Sequence, residues 1–186
     1  MKFSILITSY NKGIYLENCI ESCINQSNKD FEIIIADNYS SDGTENILER
    51  YANKAIIRKK EKISKYSAIN QIDLLIEAFK ISSGKIICLL DADDYFLPIA
   101  IEKMVNHLDN DSNAALVFAD YHLVDMDGVI IHSIRRHNFE NEVTLFDQPA
   151  HGACTMIRKS YLEHIGGYDE SFDRQDGYDL WLKIIN

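Results

Sequence analysis

Apolar and polar positions fall into short blocks along this chain. FSILIT (3–8) is brief and rich in β-branched residues, and predicts a first strand. KGIYLENCIESCINQ (12–26) follows, with Ile14, Leu16, Cys19, Ile20, Cys23 and Ile24 at roughly helical spacing, and predicts an amphipathic helix. FEIIIADN (31–38) is apolar without alternation, as expected of a strand buried on both faces of a parallel sheet. SSDGTENILERYA (40–52) opens with helix-start residues, and Asp42 with Glu45 has the spacing of a capping box. KAIIRKK (54–60) predicts a third strand. SAINQIDLLIEAFKISSG (67–84) is helical by period and closes on Gly84, read as a C-terminal stop. KIICLLDAD (85–93) is the most apolar strand, and Pro98 opens another helix near its first turn.

The first 110 or so residues therefore alternate strand and helix, the pattern of a largely parallel α/β sheet. The second half changes style. ALVFADYHLVDMDGVIIHSI (115–134) predicts two strands joined at Asp127-Gly128, a hairpin signal. GACTMIRKSYLEHIGGYD (152–169) predicts a strand, a short helix and a glycine stop, and YDLWLKIIN (178–186) begins a last helix.

In open α/β sheets, ligands collect at the carboxyl ends of the strands. Three such ends carry polar groups here: Thr8, Ser9 and Tyr10; Asp37 and Asn38; and Asp91, Asp93 and Asp94. If the sheet is parallel they share one edge. Three aspartates within four positions repel one another, so such a cluster is solvated, caps a helix, or is neutralised by a cation. The helix-cap reading stays open. An EF-hand does not fit, because DADDYFLPIAIE (91–102) lacks glycine at its sixth position. A divalent cation held by one or two carboxylates together with substrate phosphates does fit.

Charge narrows the partners. The chain has 186 residues and a net charge of -10, which argues against nucleic acid as a general partner. No stretch approaches the ~20 apolar residues of a membrane span. Cys19, Cys23, Cys88 and Cys154 lack metal-binding spacing and read as buried free thiols of a cytoplasmic protein. The basic stretch Arg58–Lys65 is either a solvated loop or a contact for phosphate or anionic lipid.

Four ordered segments resemble family-2 glycosyltransferases with a GT-A, Rossmann-like fold. They are ITSYNKGIYLENCIESCINQSNKDFEIIIADNYSSDGT (7–44), GKIICLLDADDYFLP (84–98), MIRKSYLEHIGGYDESF (156–172) and QDGYDLWLKI (175–184). The resemblance implies a mostly parallel central sheet flanked by helices, with a smaller acceptor-side β region. It implies a single domain over 1–186, with a nucleotide-sugar half (1–110) and an acceptor half (111–186) expected to be cut short at its C-terminus. The implied reaction is inverting transfer from a nucleoside diphosphate sugar to a hydroxyl of a saccharide or lipid-linked acceptor. Polysaccharide or glycolipid assembly in the cytoplasm, with peripheral contact at the inner membrane face, is the implied setting. Thr8, Tyr10, Asp37 and Asn38 would surround the nucleoside. Asp91 and Asp93 would lie at the ribose and phosphates, and Asp94 with Asp93 would hold Mn2+ or Mg2+.

For the base, Asp176 is the first choice and Asp179 the second. Glycine at 177 and asparagine at 38 depart from the family pattern, as does the lack of an evident arginine ahead of the fourth strand, where Lys65, Gln71 or Asp73 are the candidates. His151 is a candidate for the acceptor side. The rival readings are a non-catalytic nucleotide-sugar-binding module of the same fold, or a metal-dependent nucleotidyltransferase or phosphatase.

Overall fold

The computed structural model describes residues 3–61, 67–136, 155–169 and 176–185. In chain order the elements are β1 (Phe3–Ser9), α1 (Gly13–Ile24), β2 (Phe31–Asp37), α2 (Thr44–Tyr51), β3 (Ile56–Lys59), α3 (Ser67–Ile81), β4 (Ile86–Asp91) and α4 (Ala100–Asn110). After them come β5 (Leu116–Phe118), β6 (Tyr121–Val124), β7 (Ile130–Ile134), β8 (Thr155–Arg158), α5 (Lys159–His164) and α6 (Asp176–Ile185). The main sheet has the order β3-β2-β1-β4-β8-β5. The first four of these strands are mutually parallel, and β8 runs antiparallel to both β4 and β5. This is an α/β fold with a mostly parallel sheet. The alternation of strand and helix through residue 110 has the expected outcome, since each crossover helix lets the next strand run the same way.

The strands are apolar on both faces because helices cover both. Phe3, Ile5, Ile7, Ile33, Ile35, Ile86, Cys88 and Leu90 face one cluster with residues of α1, α2 and α4. Leu6, Ile34, Ala36, Ile87 and Leu89 face a second cluster with α3, α5 and α6, into which Leu180 is fully buried. Burial of this kind contributes roughly 1.5–3 kcal/mol for each large side chain.

Several local expectations take a different form. Gly84 is not left-handed and does not end α3 by that device. Its role is close approach: a Cβ there would lie 2.5 Å from both the Phe3 carbonyl carbon and the Ser4 nitrogen. The Gly84 N–H instead reaches Ser4 Oγ at 2.9 Å, and the Ser4 hydroxyl donates to Glu32 Oε1 at 2.6 Å, tying the start of β4 to β1 and β2. At α2 the N-cap is the left-handed Gly43, and Asp42 does not form the capping box with Glu45. The Asp42 carboxylate accepts from Thr44 N (3.2 Å) and from Gly13 N (2.9 Å), so it serves the first turns of two helices at once. Loss of hydration pushes its pKa up, but these hydrogen bonds and that of the Thr44 hydroxyl outweigh it and hold the carboxyl below its usual range.

Pro98 lies ahead of α4, which begins at Ala100. The hairpin at Asp127-Gly128 is present as β6–β7, closed by Asp125, whose carboxylate accepts from Asp127 N and Val129 N. The segment before it holds an additional strand, β5, which joins the main sheet instead. At α5 the glycine stop is as expected, with Gly166 and Gly167 both left-handed. No helix among the described residues is long and apolar enough to cross a membrane.

Gly84→Ala is expected to destabilise the fold by about 2–3 kcal/mol, since backbone rather than a flexible side chain must yield. Urea unfolding midpoints of the two proteins measure it, and an unchanged midpoint would disprove the close-approach role.

Candidate active site

The parallel register brings the polar strand ends to one edge. Thr8 pairs with Asp91 across β1 and β4, and Ser9 pairs with Asp37 across β1 and β2. Side chains follow the backbone. Thr8 Oγ1 lies 3.4 Å from Asp91 Oδ1, and Gln71 Nε2, from the first turns of α3, donates to that same oxygen at 3.1 Å. Of the three candidates for the region ahead of β4, Gln71 is therefore the one seen at the strand ends. Asp73 is paired with Lys60 at 2.6 Å, and Lys65 lies outside the described residues.

The loops after β1 and β2 are fastened together. Asn11 N donates to Ser40 Oγ at 2.8 Å, and Ser41 N donates to Asn11 Oδ1 at 2.9 Å. Ser40 in turn donates its hydroxyl and its N–H to the two oxygens of Asp37, at 2.6 and 3.0 Å. Asn11 and Tyr39 both hold left-handed backbone (φ 52° and 49°), uncommon for residues with side chains and concentrated at functional loops. Asp37 is thus buried and engaged by its own loop. Its neighbour differs: Asn38 is 4% exposed and Ser9 2%, yet Asn38 Oδ1 and Ser9 Oγ have no hydrogen-bond partner among the described residues. Buried polar atoms are normally paired, so these two acceptors at the sheet edge are suited to ligand donors. Tyr10 is 38% exposed beside them.

The acidic turn leaves β4 directly. Ala92 N donates to Thr8 O (3.3 Å) and Asp94 N to Asp91 O (2.9 Å), folding the three aspartates into one tight turn. Helix α1 supports it from below. Ser22 Oγ accepts from Phe96 N at 3.0 Å, and the fully buried Gln26 donates to Leu97 O (2.8 Å) while accepting from Ile101 N (3.1 Å). Cys19 Sγ sits 3.6 Å from Asp91 O, and its hydrogen bond with Cys23, together with burial, raises its pKa well above the usual thiol range. It is therefore a packing thiol. Lys12 Nζ, from the β1–α1 loop, lies 2.5 Å from Asp93 Oδ2.

The remaining candidates come from the second half of the chain. Asp176 opens α6, but its side chain is outside the described residues, as is His151. Asp179 Oδ2 is 2.6 Å from Lys183 Nζ, an ion pair by distance whose angles fall short of a hydrogen bond. In the basic stretch, Lys59 pairs with Glu45 and Lys60 with Asp73, so these two act as surface ion-pair partners.

The family model for glycosyl transferase family 2 matches residues 4–166, most of the chain and the whole of the strand-end cluster. The chain belongs to glycosyl transferase family 2. Among relatives, an uncharacterized glycosyltransferase of Rickettsia prowazekii is 31% identical over 190 residues, covering 98% of this chain and 58% of the relative. Among solved structures, S. aureus TarS in complex with UDP-GlcNAc aligns with a TM-score of 0.72 at 22% identity, over 98% of this chain and 54% of that one. The mannosyltransferase PcManGT from Pyrobaculum calidifontis, in complex with GDP-Man and Mn2+, aligns with a TM-score of 0.67 at 18% identity, over 95% and 50%. These structural likenesses bear out the α/β fold and its mostly parallel sheet. The chain spans about half the length of the proteins it matches here.

The acidic turn has the chemistry to take a divalent cation. No three carboxylate, imidazole or thiol side chains among the described residues form a complete metal site. A cation here would take one or two carboxylates from the protein and its other oxygens from phosphate and water, as Mg2+ and Mn2+ prefer. Asp94 reports the excess of negative charge. Loss of hydration and then the charges of Asp91 and Asp93 push its pKa up to about 6, against a smaller opposing effect of Lys12. The residue still keeps substantial surface open to solvent, which weakens that effect and leaves the carboxylate within reach of an incoming ion.

A raised carboxyl pKa means that the folded state binds the proton more tightly than the unfolded chain. Ionised Asp94 therefore destabilises the metal-free protein, with stability falling from about pH 4 to pH 6 and level above. Asp94→Asn should match the parent near pH 4 and exceed it at pH 7.5 by about 1 kcal/mol, allowing for solvent screening. Urea unfolding at the two pH values, in chelator, measures the difference. Equal stability at pH 7.5 would show that the crowding is not felt.

Proposed function

We propose that this protein carries the catalytic module of an inverting, metal-dependent glycosyltransferase, which moves a sugar from a nucleoside diphosphate sugar to an acceptor hydroxyl. The observation that carries the reading is the single edge shared by Thr8, Asp37, Asn38 and Asp91 in the register of β1, β2 and β4, with the acidic turn beside it. Family membership agrees with it, as do the UDP-GlcNAc and GDP-Man held by the two structural neighbours.

Thr8, Tyr10, Asp37 and Asn38 surround the nucleoside in this reading. Asn38 Oδ1, buried and unpartnered among the described residues, accepts an N–H from the base edge. Ser40 keeps Asp37 oriented through both of its carboxylate oxygens. Asp91 holds the end of β4 through Thr8 and Gln71 and supports Asp93 at the ribose and phosphates. Asp94 and Asp93 hold Mn2+ or Mg2+, the former partner being suggested by the Mn2+ in the mannosyltransferase complex. The bound cation supplies Lewis-acid neutralisation of the diphosphate leaving group.

Asp176 takes the proton of the acceptor hydroxyl as general base. Asp179 is the second choice, because its carboxylate faces the Lys183 ammonium one turn along the same helix. Residues 1–110 serve the donor and 111–186 the acceptor, a saccharide or lipid-linked hydroxyl in polysaccharide or glycolipid assembly.

Thermal unfolding with UDP, GDP, ADP and CDP, each with and without Mn2+, tests the donor site. One nucleotide at a hundredfold excess over its Kd is expected to stabilise the protein by about 2.7 kcal/mol in the presence of Mn2+. Asp94→Ala should lose the Mn2+-dependent part, and retention of it would refute the metal assignment. Asp176→Asn should keep donor binding and lose transfer by about 100- to 10,000-fold. Transfer at the parent rate would move the base elsewhere.

A further inference from the structure

Most ion pairs among the described residues join surface neighbours or flanking helices, such as Arg50 with Glu17 or Lys80 with Glu77. Lys12 does something different. It reaches from the β1–α1 loop to Asp93, 81 residues away in sequence, and its Nζ lies 2.5 Å from Asp93 Oδ2. The pair is open to solvent, with side-chain exposures of 37% and 41%. The same ammonium lies 5.9 Å from the Tyr15 ring centroid, so it has a second place to rest nearby.

A fixed positive charge on this carboxylate is costly for cation binding. It occupies an oxygen that Mn2+ or Mg2+ would use and repels the ion electrostatically. It is also weakly held, because an exposed ion pair contributes little and a divalent ion brings twice the charge. A nucleoside diphosphate changes the balance, since its negative oxygens offset both cations at once.

We propose that Lys12 is a tethered counter-ion of the donor site: it neutralises Asp93 while the site is empty, competes with the divalent cation for that carboxylate, and passes to the donor's diphosphate when cation and nucleotide enter together. The inference rests on the reading that Asp93 and Asp94 hold the cation. Its consequence is coupling. Cation alone binds weakly, and each ligand tightens the other by the same factor. The empty protein is thereby kept from filling its acidic turn with metal that carries no donor.

The test is a titration of the full chain with Mn2+ alone, followed by the electron paramagnetic resonance signal of free hexaaqua Mn2+, then repeated with saturating nucleoside diphosphate from the panel above. Lys12→Met is expected to bind Mn2+ alone about tenfold more tightly than the parent. The tightening by nucleotide should shrink by a similar factor. Lys12→Arg, which keeps the charge, should stay within about twofold of the parent. The urea midpoint of each variant shows that it is folded, and the exposure of Lys12 predicts midpoints near the parent's.

Equal or weaker Mn2+ binding by folded Lys12→Met overturns the counter-ion role. If the parent nevertheless binds Mn2+ with nucleotide, only the role of Lys12 fails. If neither protein binds Mn2+ under any condition, the cation site and the counter-ion fall together.

Discussion

The pairing of β1 in parallel with β2 on one side and β4 on the other is the constraint on which the rest depends. Ser9 opposite Asp37 and Thr8 opposite Asp91 follow from that register alone. A slip of one residue would turn every apolar side chain of β1 to the other face and separate these groups. The register is strongly held because both faces of the strands are buried, with different residues committed to each helical layer. At the opposite edge, Gly84 allows the chain to enter β4 against β1 with no side chain between them. Site geometry and core packing are thus one problem.

The loops at the functional edge are held by a second set of contacts. Asn11, Ser40, Ser41 and Asp37 join the β1 and β2 loops, and Ser22 with Gln26 fixes the segment after the acidic turn. Buried polar side chains need hydrogen-bond partners to be tolerated, and Asp37 and Gln26, the buried members of this set, have them. Against that background Asn38 Oδ1 and Ser9 Oγ, without a hydrogen-bond partner among the described residues, stand out, as does the crowding around Asp94. A site that binds a charged ligand keeps part of its polar capacity unspent until that ligand arrives.

Arg158 is a comparable device outside the site. Its guanidinium donates to Leu108 O, Asp111 O and Ala114 O, closing the C-terminal end of α4 from β8. It had no visible signal in the sequence, because an arginine after an apolar run reads equally well as a surface charge. The same holds for Lys12. Its charge was legible, but its engagement with Asp93 joins two loops that only the closed sheet brings together. Gln71 was one of three candidates for its region, and the fold of α3 over the strand ends separated it from Asp73. Asp179 next to Lys183 was in principle readable from the i, i+4 spacing that neighbours on a helix require.

By itself the sequence determined the class of fold, the order of its elements through residue 110, the strand-end position of the acidic turn and the family. Those features are local: periodicity, the run length of apolar residues and ordered motifs lie within short windows. Only the tertiary structure decided that β8 enters antiparallel beside β4, that Gly84 serves close approach rather than a helix stop, and that Asp42 serves two helices. It also decided which polar atoms at the edge are satisfied and which have no partner among the described residues. Each of these depends on contacts between segments tens of residues apart, whose free energy is set by packing and desolvation that no short window of sequence contains.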